Sequence, residues 1–95
     1  MFREANEGIE AGLWPEQLDD TVRFRCECAR VDCNQAVEMT AMDYERVRQD
    51  PRRFILCAGH DDPAVERVVE SIDGYVIVEK LGEAGELAAA LDPRD

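Results

Sequence analysis

Cys26, Cys28 and Cys33 stand within the eight residues Cys26-Glu27-Cys28-Ala29-Arg30-Val31-Asp32-Cys33, and Cys57-Ala58-Gly59-His60 follows further along the chain. Thiolates and imidazole are the ligands that Zn²⁺ takes in tetrahedral sites. A Cys-x-Cys pair can put two thiolates on one ion if the backbone bends at Glu27, and the four-residue gap lets the chain curl back with Cys33. The fourth ligand must come from elsewhere, and Cys57 and His60 are the two candidates. Cys57 lies inside an apolar run and reads as a small core residue. His60, the one histidine in the chain, follows Gly59, where a strand end can present a side chain freely. Beside three thiolates it is the favoured ligand, so the expected metal set is Cys26, Cys28, Cys33 and His60. Three thiolates and a neutral imidazole leave bound Zn²⁺ with a net charge of about −1, which Arg25 or Arg30 could offset. A filled Cys3His shell has no position for water, which points to a structural zinc. Free thiols in a core are the plainer alternative. Three of them in one short polar loop argue against it. Iron–sulfur clusters usually take four cysteines with a Cys-x2-Cys pair, so they fit less well.

The elements that must position these residues can be read from periodicity. Phe2, Ala5, Ile9 and Leu13 recur at helical spacing, with Arg3, Glu4, Glu7 and Glu10 between them, which predicts an amphipathic helix over 2–12. Residues 13–20 read as a connector, with Leu13 and Trp14 docking on the body of the domain in preference to an exposed Trp14 at a partner site. Thr21–Cys26 and Ala36–Thr40 alternate apolar and polar residues and predict two strands whose connecting loop is a zinc knuckle. Thr40 reads as an N-cap, with Asp43 completing a capping box, for a helix over 41–49 that turns Met42 and Val47 inward. Asp50-Pro51 stops it. Phe54–Ala58 suits a strand buried on both faces. Val65, Val68, Val69 and Ile72 fit either a helix face or a strand. The Asp73-Gly74 pair and the β-branched residues around it favour a hairpin of 66–72 with 75–80. Glu83–Leu91, rich in Ala, Glu and Leu, predicts a last helix. The expected fold is a small single α+β domain over residues 1–95, with β-hairpins, a zinc knuckle and helices near the N-terminus, in the middle and near the C-terminus.

At 95 residues the chain suits one domain, and a metal staple is a common supplement to so small a core. Its formal charge is −11. Residues 1–22, 23–53 and 54–95 carry −5, +1 and −7 respectively. Such a surface repels phosphate and anionic headgroups, so neither nucleic acid nor a membrane is an expected partner. Solubility is the bland meaning of the charge; an acidic face for a basic protein is the sharper one. The N-terminus lacks the apolar core of a secretory signal, and no segment is long enough to span a bilayer, so a cytoplasmic protein is expected. In a reducing compartment, four cysteines are metal ligands or free thiols more often than disulfides.

The Cys-x-Cys-x4-Cys spacing resembles the cysteine cluster that follows the catalytic domain of many histone lysine methyltransferases, which also completes its zinc site with a distant ligand. Only the coordination logic is shared. The layout as a whole resembles a group of small uncharacterised bacterial proteins common in actinobacteria. The residues that carry the likeness are Phe2-Arg3-Glu4-Ala5-Asn6-Glu7-Gly8-Ile9, Cys26-Glu27-Cys28 with Cys33, Tyr44-Glu45-Arg46-Val47-Arg48, Pro51-Arg52-Arg53-Phe54, Gly59-His60, Glu66-Arg67-Val68-Val69-Glu70 and Tyr75-Val76-Ile77-Val78-Glu79-Lys80. The resemblance implies a Cys3His site of Cys26, Cys28, Cys33 and His60. Two positions depart from the pattern. The residue before the Gly-His pair is typically proline, and here it is Ala58. The position of Cys57 is usually a plain apolar residue, which supports its reading as core.

No Ser-His-Asp arrangement, phosphate-binding glycine loop or HExxH motif is present. The expectation is therefore a non-enzymatic interaction or regulatory module that binds a protein partner, with the Arg46–Arg53 stretch either a contact surface or a solvated helix face. A zinc–thiolate redox switch with Cys57 as the spare thiol is the first alternative. A zinc hydrolase with Glu27, Asp61 or Asp62 as base is the second, although those acids read more simply as solvated loop residues and Asp62-Pro63 as a turn.

Overall fold

The computed structural model describes residues 2–28, 30, 33–72 and 74–92. Ala29, Val31 and Asp32 of the cysteine loop and Asp73 of the expected hairpin turn lie outside the described residues. Helix α1 (Phe2–Ala11) leads through a 3₁₀ turn (Pro15–Gln17) to strands β1 (Thr21–Arg25) and β2 (Ala36–Thr40). Helix α2 (Ala41–Arg48) and strands β3 (Arg53–Cys57), β4 (Glu66–Ile72) and β5 (Tyr75–Lys80) come next, and helix α3 (Gly82–Ala90) is the last element among the described residues. This is the α+β architecture expected, with a hairpin where 66–72 was ambiguous.

β1 and β2 form an antiparallel two-stranded sheet in which Phe24 faces Val37 and Val22 faces Met39. Phe24, Val37 and Met39 are buried and Arg23 and Glu38 exposed, the alternation that one covered face demands. The second sheet is antiparallel in the order β3-β5-β4. Ile55 and Leu56 are adjacent, point to opposite faces and are both fully buried, as the continuous apolar run requires. β5 is central, and Tyr75–Val78 are all buried. A register shift between Val68 and Glu70 interrupts the outer strand β4. Such a bulge, with exposed Arg67 and Glu70, makes that edge a poor template for further pairing.

Helix α2 is capped by Thr40, whose Oγ accepts from the Asp43 amide at 3.1 Å. The Asp43 carboxylate pairs with Arg46. Its inward residues are Ala41, Tyr44, Val47 and Arg48. Met42 is 57% exposed, contrary to expectation. At 3.6 residues per turn it falls on the side of the helix away from Tyr44 and Val47. Tyr44 stacks on Phe24, with ring centroids 4.4 Å apart, and joins α2 to the first sheet. Arg48 is buried too, so the Arg46–Arg53 stretch is not a uniformly solvated face.

Helix α1 departs furthest from its expected face. Ala5 is exposed, while Arg3 and Asn6 are buried. The helix is rotated by roughly a quarter turn from the orientation its apolar residues imply, because its polar residues find partners on the body of the protein. Trp14, expected to dock, is 69% exposed.

Helix α3 closes on the sheet through Gly85, which is buried. A Cβ there would lie 2.7 Å from the Lys80 carbonyl oxygen and 3.1 Å from Arg52 Cδ. At Gly8, in α1, a Cβ would meet nothing within 4 Å. Gly85→Ala is expected to cost about 1–3 kcal/mol through overpacking, more than the ~1 kcal/mol of helix propensity it gains. Gly8→Ala should stabilise by up to ~1 kcal/mol. Urea unfolding of the two variants checks this, and equal effects would contradict the packing argument.

Candidate metal centre

The cysteine knuckle is built against the outer edge of β3. Cys26 follows β1 directly and extends the hairpin, its amide donating to the Gln35 carbonyl at 3.1 Å. The Glu27 amide then donates to the Ile55 carbonyl at 2.8 Å, and Glu27 Oε1 accepts from the Ile55 amide at 3.0 Å. Two residues on, the Cys57 amide donates to Cys26 Sγ at 3.1 Å. At the other end of β3 the Arg53 carbonyl accepts from Arg3. An edge that would otherwise expose unpaired backbone groups is thus occupied by the loop carrying the sulfurs.

His60 reaches the same place by a turn. Its amide donates to the Cys57 carbonyl at 3.0 Å, and Gly59 has φ +85°. That positive φ is what the third position of a type II turn needs, and proline suits the second. Ala58 occupies the second position here. The turn brings His60 Nδ1 to 3.5 Å from Cys26 Sγ and 3.7 Å from Cys33 Sγ.

The ligand atoms of Cys26, Cys28, Cys33 and His60 all lie within 4.8 Å of one another. The three cysteines are buried and His60 is half-buried. A tetrahedral ion with Zn–S of about 2.3 Å and Zn–N of about 2.0 Å separates sulfur from nitrogen by about 3.5 Å. The two measured separations sit close to that value. Cys57 is not in the group. Its Sγ lies 3.7 Å from the Ala36 carbonyl oxygen, and it packs at the margin of the core.

Electrostatics around the sulfurs pull in two directions. Burial pushes the Cys26 thiol up to about 11, against the backbone N–H groups of Cys57 and Cys28. It does the same to Cys28, also to about 11, against the Arg30 amide. Burial acts on Cys33 as well, but the Gln35 amide, the neighbouring thiols and the Arg25 guanidinium bring it below its ordinary value. Arg25 also donates to the Cys33 carbonyl at 3.0 Å, which makes it one of the two arginines placed to offset negative charge. The exposed Arg30 borders a hollow of about 220 Å³ with Cys33, Asn34, Gln35 and His60. Three buried sulfurs and a half-buried imidazole brought to one place, with amides directed at the sulfurs, form an arrangement that a cation completes and that bare thiolates would find costly.

Glu27 is neither a solvated loop acid nor a free base. Its side chain is 1% exposed and pairs with Arg3 at 3.0 Å. Asn6 Nδ2 donates to Glu27 Oε2 at 3.0 Å and to the Arg25 carbonyl at 2.8 Å, while Asn6 Oδ1 accepts from the Arg25 amide at 2.6 Å. Arg3 also donates to the Pro51 carbonyl and stacks on Phe54, with its guanidinium carbon 3.7 Å from the ring centroid. The Tyr44 hydroxyl donates to Glu7 at 3.0 Å and lies 3.4 Å from Glu27 Oε2. Burial, with the Glu27 and Glu7 carboxylates beside it, pushes the Tyr44 phenol well above its ordinary range. Arg48 continues the network to Glu7 and Asp92. Of the other acids considered as bases, Asp62 accepts from the Ala64 amide at 3.1 Å, in the turn expected at Asp62-Pro63.

Sequence reasoning therefore found the sulfurs and the histidine and missed Arg3, Asn6, Tyr44 and Arg48, together with the role of Glu27. The available signal was the polar spacing of Arg3, Asn6, Glu7 and Glu10, which is as helical as that of the apolar residues.

Fold and site define a small α+β protein with a buried Cys3His group positioned to hold a metal ion. No family model, curated protein or solved structure matches the chain. Among the described residues, no helix is long and apolar enough to cross a membrane.

Proposed function

We propose that the protein binds one Zn²⁺ through Cys26, Cys28, Cys33 and His60, and that this closed structural site holds together a non-enzymatic protein-interaction module of the cytoplasm. The observation that carries the metal reading is the convergence of the three sulfurs and His60 within 4.8 Å of one another, with Cys26 and Cys33 at sulfur–nitrogen separations of 3.5 and 3.7 Å, close to the tetrahedral value. Sulfur-rich ligation favours zinc over the harder divalent ions. With four protein ligands the ion has no open position for water, so it crosslinks the hairpin loop to the end of β3.

Metal content of protein purified without added metal tests this. About one zinc per chain is expected for the wild type and for Cys57→Ala. His60→Ala should bind at least about tenfold more weakly in competition with a chromophoric chelator. Retention of full affinity by His60→Ala, or its loss in Cys57→Ala, would reassign the fourth ligand.

The position of Cys57 favours a redox switch as the second reading. Its amide touches the Cys26 sulfur, so a thiol outside the ligand set flanks a ligand. Hydrogen peroxide would take two electrons from this pair. A Cys26–Cys57 disulfide would form, the peroxide would leave as water and hydroxide, and the ion would be released. Zinc retained under peroxide at a dose that oxidises ordinary exposed thiols would rule this reading out.

A further inference from the structure

The segment Trp14-Pro15-Glu16-Gln17-Leu18-Asp19-Asp20 places apolar side chains in solvent on an ordered turn. Trp14 is 69% and Leu18 39% exposed. The turn is fixed from both ends: the Trp14 amide donates to Gln17 Oε1 at 2.8 Å, and the Gln17 amide donates to the Trp14 carbonyl at 2.9 Å. The Asp20 amide closes on the Gln17 carbonyl at 3.1 Å. The Met42 amide donates to the Leu18 carbonyl at 3.1 Å, which sets Met42, 57% exposed, beside Leu18. The two segments that carry these three exposed apolar residues thus meet at the end of the β1–β2 hairpin opposite the metal cluster.

The rim is acidic. Glu16, Asp19 and Asp20 are exposed, and none of them has an ion-pair partner among the described residues. The region 1–22 carries −5. Tryptophan and methionine are enriched at interface centres, and rim charge selects the partner and speeds encounter. An exposed tryptophan on a hydrogen-bonded turn loses less conformational entropy when it is covered than one on a free chain.

We infer that Trp14, Leu18 and Met42 form a docking surface for a basic amphipathic segment of another protein, with apolar side chains against the three anchors and lysine or arginine against Glu16, Asp19 and Asp20. The inference rests on the interaction-module reading and supplies the chemistry of its partner.

Trp14 is the one tryptophan in the chain, so its emission reports on the surface directly. The zinc-loaded protein is titrated with a fluorescein-labelled synthetic helix bearing leucine on one face and lysine on the other. Peptide anisotropy reads binding anywhere on the protein, and Trp14 emission reads binding at this surface. The expected result is a blue shift that saturates together with the anisotropy and weakens with salt. Binding should be at least about tenfold weaker for Leu18→Ala/Met42→Ala and for a peptide with glutamate in place of lysine. The double variant should keep its zinc and its circular dichroism, since both side chains are exposed. Binding without a Trp14 shift, or binding indifferent to the double variant, overturns this surface while leaving an interaction module. Absence of any binding overturns the surface and removes support for the module. Concentration-dependent self-association through Trp14 would instead make a second copy the occupant, and likewise overturn the proposal.

Discussion

Removal of the ion by a strong chelator is expected to unfold the chain at temperatures where the loaded protein is intact. Without it, three buried cysteines face one another at the point where the β1–β2 loop meets β3. Burial favours their neutral thiols in the case of Cys26 and Cys28, and neutral thiols repay none of the chain entropy of closing the loop. Ligand present at 1,000 times its Kd stabilises by about 4 kcal/mol, which for a domain of this size corresponds to a shift in Tm of about 16–30 °C. Thermal melts followed by far-ultraviolet circular dichroism, with zinc and with chelator, read the difference. The β1–β2 hairpin and α1 should lose structure first, because Cys26 and Glu27 are their attachment to β3. Melting points within about 3 °C of each other would mean that the ion contributes little to the fold, and the structural reading of the site would be wrong.

The second large effect is expected from Glu27→Ala. This one carboxylate accepts from Arg3, Asn6 and the Ile55 amide, and its own amide is bonded to Ile55. Breaking a buried ion pair by removing one partner costs about 3–5 kcal/mol, and the stranded Asn6 and Ile55 donors add to that. A chain of this length has only about 5–14 kcal/mol of stability in total. Glu27→Ala should therefore be largely unfolded, or folded only with excess zinc. The exposed pair Arg67–Glu79 is the comparison, and Arg67→Ala should cost no more than about 1 kcal/mol. Urea unfolding in excess zinc separates the two. A cost below 1 kcal/mol for Glu27→Ala would show that α1 and the knuckle are held by something other than this network.

These two effects meet at one place in the chain. Glu27 sits between two of the sulfurs, so the polar network that docks α1 and the cluster that gathers the thiols adjoin within the tripeptide Cys26-Glu27-Cys28. Sequence patterns foresaw one of these and not the other, and the reason lies in what each leaves as a trace. Thiols have few uses in a short polar loop, so Cys26, Cys28 and Cys33 are informative wherever they occur at this spacing. A glutamate between them reads as solvated, because most loop glutamates are. Only when β3 lies alongside does its carboxylate find Ile55, Arg3 and Asn6.

Strand alternation at Thr21–Arg25 and Ala36–Thr40, the apolar run at Ile55 and Leu56, and the β-branched stretch before Lys80 are local consequences of side-chain shape and of having one or two covered faces. They determined the strands, and the cap at Thr40 and the stop at Asp50-Pro51 determined much of the limits of α2. The residue types and spacing of the candidate metal group were likewise legible in the chain. The tertiary structure alone decided which face of α1 is buried, that Met42 points out while Tyr44 points in, that Trp14 lies in solvent, and that Arg48 is enclosed. In each case periodicity specifies a helix or a turn, while the rotation about its axis depends on partners far away in sequence. A polar face can win that competition when every one of its groups is paired, as Arg3 and Asn6 are by Glu27 and by the backbone of Arg25 and Arg53.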